Sequence, residues 1–123
     1  MGASAVVMAV AGLAGSFLPH ELLRALGAPA EGLLPVVVQL TAALYLGFAM
    51  LNWTARDSLI GGIYNRPVAI GNLLHFASGA LALLKYATST RPPLPVIVMT
   101  VVYALFALAF GMVLFTSPVK HQT

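Results

Sequence analysis

The residues able to recognise or transform another molecule gather in and just before one stretch, "IGGIYNRPVAIGNLLHF" (Ile60 to Phe76). Asn52, Arg56, Tyr64, Asn65, Arg66, Asn72 and His75 bring together guanidinium forks, amides, a phenol and an imidazole, with Tyr45 two helical turns before Asn52. Arginine offers a planar fork that fits phosphate or carboxylate, and amides fix the orientation of what it holds. The set suits binding of an anionic group. It does not suit hydrolysis, because the three acids, Glu21, Glu31 and Asp57, all fall outside the apolar segments. No carboxylate is placed to orient His75 as a base or to form a catalytic pair. The same absence argues against proton-coupled export that depends on an intramembrane glutamate.

Other chemistries fall away on composition. Cysteine is absent, which excludes disulfides, thiolate ligands and thiol nucleophiles. His20, His75 and His121 lack ligand spacing, so neither a metal nor a cofactor is expected; haem held by two copies of His75 across a dimer is the distant alternative. The stretch "GGIYNRPVAIG" matches neither the Walker nor the dinucleotide pattern. The chain therefore reads as a binding protein and not as an enzyme. Its net charge of +3 comes from six scattered Lys and Arg, with no patch suited to nucleic acid.

The elements that position these residues follow from a chain that is 60% hydrophobic and 7% charged, against about 25% charged residues in a soluble domain. This composition belongs to an integral membrane protein. A bilayer core about 30 Å thick takes about 20 apolar residues as a helix, and four segments approach that length: 3–18, which is short, and 33–53, 68–86 and 94–116. Pro19, Gly27 with Pro29, Gly61 with Gly62 and Pro67, and Pro92, Pro93 and Pro95 fall at or between their ends, as helix-breaking residues should. Retention of the first segment as a span is expected, since no Lys or Arg precedes it as in a signal peptide. Short connections make neighbours antiparallel, so the expected fold is all-α, a single domain over 1–123 forming an up-down bundle of four transmembrane helices. The connection "PHELLRALGAPAEG" reads as a short helix with Leu22, Leu23 and Leu26 on one face. It either lies in the membrane interface or extends the first span.

Helical geometry then aligns the polar residues. Thr41, Tyr45, Phe48, Asn52 and Arg56 fall within an arc of roughly 80° on the second span, and Asn72, His75, Gly79, Ala82 and Tyr86 within a similar arc on the third. Counting from the corner between these spans puts Tyr45 and His75 at similar depth, about 12 Å in. Unpaired polar groups in hydrocarbon cost several kcal/mol, so both stripes should face the interior. They form either hydrogen-bonding glue between helices, about 1 kcal/mol each, or a semi-polar pocket with Tyr45, Phe48 and Phe76 lining its apolar depth. Arg56 and Arg66 also have the simpler reading of interface anchors beside lipid phosphates, with Asp57 as an ion-pair partner. Small-residue pairs, Ala11 with Gly15, Gly12 with Ser16 and Ala107 with Gly111, suit close helix packing within the bundle.

Basic residues divide evenly between the two sides, Arg56, Arg66 and Lys120 against Arg24, Lys85 and Arg91, so the positive-inside rule leaves orientation balanced. The compact loop carrying two of them favours cytoplasmic termini in a bacterial inner membrane; dual topology is the alternative.

The stretches "FLPHELLRALGAP" and "LYLGFAMLNWTARDSLIGGIYNRPVAIGNLLHF" resemble small bacterial four-helix membrane proteins of a broadly DoxX-like kind. An arginine-bearing turn followed by a His-Phe pair early in the next span is similar to the layout of the membrane scaffold family of sterol synthesis. The first resemblance implies a four-helix bundle, the second a tether for other membrane enzymes, and neither supplies catalytic residues. The function expected from the residues is binding of an amphipathic or anionic lipid-like ligand between the second and third spans. An oligomeric channel or transporter and a membrane scaffold are the rivals, with membrane lipids, a second copy or another membrane protein as partners.

Overall fold

The computed structural model describes residues 1–57 and 65–116. Among the described residues all regular structure is helical: α1 (Gly2–Phe17), α2 (Pro19–Ala25), α3 (Leu34–Ala55), α4 (Asn65–Ser89) and α5 (Leu94–Thr116). The chain divides into two compact units, Met1–Arg56 and Asp57–Thr123. The first holds α1 to α3, the second α4 and α5.

Three helices, α3, α4 and α5, are long and apolar enough to cross a membrane, and α1 with α2 forms a bent pair that could supply a fourth crossing. At 16 residues, α1 spans about 24 Å, short of the roughly 30 Å hydrocarbon layer. Leu18 leaves helical geometry at φ −126°, ψ 47°, because a residue before proline is pushed out of the α region. Pro19 then opens α2 in the first turn, where a missing N–H breaks no helical bond. The axes meet at 105°, so the connection is a separate turned helix and not a straight continuation of the first span.

The end of α2 has a clear local cause. Gly27 takes φ +70°, its N–H donates to the Arg24 carbonyl at 3.0 Å, and the Ala28 N–H donates to the Leu23 carbonyl at 2.8 Å. This Schellman pattern satisfies carbonyls that the ending helix would otherwise leave open. Gly32 takes a second left-handed turn at φ +67° just before α3.

Within the first unit α1 and α3 run antiparallel and very close together. A methyl placed on Gly12 would lie 2.7 Å from Leu46 Cγ and 3.0 Å from the Ala42 carbonyl oxygen, and one on Gly15 would lie 2.8 Å from Ala42 Cβ. Only glycine allows this approach, which brings the two backbones into extended van der Waals contact. The small-residue face of the first span is thus used inside the unit.

The second unit is packed with rings. Phe76 is fully buried; its ring centroid lies 5.2 Å from that of Tyr103, 4.9 Å from Phe106 and 5.8 Å from Phe110. Tyr103, Phe106 and Phe110 recur at three- and four-residue spacing, which puts them on one face of α5. Gly79 supplies the recess for the Tyr103 ring, and a methyl there would collide with it. At Gly111 the fit is ordinary, with Leu73 Cδ1 at 3.8 Å. α4 begins at Asn65 and ends at Ser89, longer at both ends than the 68–86 expected, since Pro67 sits in the first turn and needs no helical N–H bond.

Candidate functional site

The polar residues singled out from the sequence have different fates. Asn52 is completely buried: its side-chain amide donates to the Ser4 hydroxyl at 3.2 Å and lies 3.9 Å from Met8 Sδ. Ser4 in turn donates to the Met1 carbonyl oxygen at 2.7 Å. This chain of bonds ties the C-terminal end of α3 to the start of α1, the gluing role that a polar residue takes where water is absent. Asn72 is also completely buried, and its amide donates to the Val68 carbonyl oxygen of its own helix at 2.8 Å. Asn65 is buried at the start of α4, and Arg66 beside it is exposed. Tyr45 and Phe48 are half-buried on α3, and Thr41 is exposed. Tyr45 belongs to the first unit and His75 to the second. Tyr64 and the glycine pair of the corner lie outside the described residues, as do Lys120 and His121.

His75 is half-buried, with its Nε2 3.2 Å from the Tyr103 hydroxyl. Its ring stands edge-on to Phe76, with centroids 5.1 Å apart. The pair joins α4 to α5 at the edge of the aromatic cluster. Tyr103 was not among the residues read from the sequence, although counting out from the Arg91 turn puts it within about one helical turn of the depth of His75.

Arg56 has a defined setting at the end of α3. Its guanidinium carbon lies 3.9 Å from the Trp53 ring centroid, and Nη1 donates to the Trp53 carbonyl oxygen at 2.7 Å. That carbonyl belongs to the last turn of α3, where helical partners run out and a cation is favoured by the helix dipole. Stacking on the indole and bonding the helix end fix an otherwise mobile side chain, and the guanidinium stays at the surface. The i,i+3 spacing of Trp53 and Arg56 near a predicted helix end is a sequence signal for this stack that a reading of the polar residues alone passes over.

Trp53 also closes one end of an apolar groove along α1 and α3. Ala5, Ala9 and Ala49 form its floor, and Val6, Val10, Leu13, Met50 and Trp53 its sides. The cavity volume is about 270 Å³. Each of the five large lining side chains is itself exposed, so the groove opens sideways on the outside of the unit. Small floor residues beside larger rims make this hollow, and among the described residues no polar side chain lines it. The Arg56 cation therefore lies over the residue that ends the apolar groove.

Among the described residues no group of three or more His, Cys, Asp or Glu side chains is placed to hold a metal ion. No family model, curated protein or solved structure matches the chain.

Proposed function

We propose that this protein binds an anionic, lipid-like amphiphile within the membrane, with Arg56 receiving the headgroup. The observation that supports this most is the arginine itself, stacked at 3.9 Å on Trp53 and held at the end of a long apolar helix. Arginine fixed in this way has lost much of its rotamer freedom before any ligand arrives, so less entropy is lost on binding. Its fork matches a phosphate or carboxylate in two parallel bonds. The ligand class is the one expected from the polar residues of the sequence. Recognition is drawn from the first unit, where a cation and an apolar surface adjoin, while Asn52 acts as structural support from within.

Native mass spectrometry of the protein purified in mild detergent tests the reading. The expected spectrum carries an added mass that extraction identifies as an anionic amphiphile, and Arg56→Gln loses most of it. An identical retained species in wild type and R56Q would remove Arg56 from the site.

A further inference from the structure

The groove beside Trp53 has dimensions that specify more than an anionic headgroup. We infer that it is an acyl-chain subsite for an anionic phospholipid of the surrounding bilayer, with the phosphate at Arg56 and one chain lying along α1 towards Leu13. The inference rests on the headgroup reading given above and adds the position and direction of the tail.

Three observations carry it. The first is size. An apolar cavity of about 150 Å³ holds a six-carbon ring, so the 270 Å³ here accommodates a chain segment on the order of ten carbons. The lining residues run from Ala5 to Leu13 along α1, a rise of about 12 Å, which suits the same segment extended. The second is the open side. Val10 is 63% exposed and Met50 63%, so one chain can lie in the groove while the chain joined to it stays in the bilayer. A closed pocket would instead select a free single-chain acid. The third is polarity: the cation stands over Trp53 at one end, and the rest of the lining is hydrocarbon. A headgroup and its chain are therefore aligned in one direction only.

Trp53 is the only tryptophan in the chain, so its fluorescence reports on this groove alone. The protein is reconstituted in phosphatidylcholine vesicles containing increasing fractions of phosphatidylglycerol brominated on one chain at carbons 6 and 7 or at carbons 11 and 12. Brominated phosphatidylcholine is the matched control. Bromine quenches on contact, so the curves report which lipid sits beside Trp53 and which part of its chain. Brominated phosphatidylglycerol is expected to saturate the quenching at a several-fold lower fraction than brominated phosphatidylcholine. Bromines at carbons 6 and 7 should quench more deeply than those at 11 and 12, because the head end lies at Trp53.

Val10→Phe and Val6→Phe fill the groove from its exposed rim without touching the buried face. In both, the saturating component should disappear and leave only the weak quenching by lipid passing the exposed face of Trp53, with circular dichroism confirming that the helices are retained. Preference for phosphatidylglycerol that is lost in R56Q but unchanged in both phenylalanine variants would leave the headgroup reading standing and overturn the acyl subsite. Superimposed phosphatidylglycerol and phosphatidylcholine curves in the wild type would overturn both.

Discussion

In the first unit α1 and α3 meet through Gly12, Gly15 and Ala42, whereas in the second α4 and α5 meet through Phe76, Tyr103, Phe106 and Phe110. Glycine and alanine bring backbones together but have little side chain to fill the flanks, so the rim residues of α1 and α3 stand apart over an alanine floor. Rings do the opposite. They occupy the volume between their helices, and the His75 ring at the edge of the cluster meets the Tyr103 hydroxyl across it. The two regions thus differ in what fills the space between their helices. Small-residue packing leaves an open apolar groove, the feature on which the proposed lipid site rests, and aromatic packing leaves a ring-filled pair of helices.

The comparison can be broken most forcefully at Phe76. Truncation to alanine removes a fully buried ring from the centre of its cluster and should destabilise the protein by about 3 kcal/mol or more, read from unfolding in mixed micelles. Leu13→Ala, at an exposed groove position, should change stability little. Comparable losses at the two sites would mean that the groove wall is a packed interface.

Next come the glycines. Gly79→Ala drives a methyl into the Tyr103 ring, and Gly15→Ala forces α1 away from Ala42. Each should cost about 1–3 kcal/mol by overpacking. Only Gly79→Ala should also shift the His75 ring signals in a nuclear magnetic resonance spectrum, since it displaces the partner of that ring.

A smaller effect belongs to the bond between Asn52 and Ser4. Polar contacts of this kind between helices in lipid are worth about 0.6–1 kcal/mol, so a double-mutant cycle with Asn52→Ala and Ser4→Ala should give a coupling in that range. A coupling near zero would mean that the bond at 3.2 Å contributes nothing to joining α1 and α3. The smallest change is expected at Gly47, where a methyl meets nothing within 4 Å among the described residues. Gly47→Ala should leave stability unchanged or raise it by up to about 1 kcal/mol through helix propensity.

These expectations also mark which levels of structure the sequence carries. Helix number and rough extent were legible because apolar length and proline position are local properties: Pro19 turns the chain and Pro67 lies in a first turn, as their chemistry requires. The role of Gly12 and Gly15 was legible as close packing, because spacing alone places them on one face. The partner of Asn52 was not legible, since periodicity gives the direction of a side chain but not which helix stands opposite. The same limit applies to His75. Its depth could be counted, but the choice of Tyr103 depends on how α5 sits against Gly79. The groove was harder still to foresee, because it arises from what small side chains fail to fill. Arg56 was found as a candidate cation from its type, while its fixed position over Trp53 came from the geometry at the end of α3.

The most direct measurement of the central claim, that a cation beside an apolar groove selects an anionic amphiphile, is thermal unfolding of the purified protein with added lipid. A ligand bound by the folded state alone raises the apparent Tm with concentration. Phosphatidylglycerol should raise the Tm by several degrees, phosphatidylcholine with the same chains should raise it much less, and R56Q should abolish the gap between them. Equal stabilisation by the two lipids in the wild type, or a gap that survives in R56Q, would contradict the account.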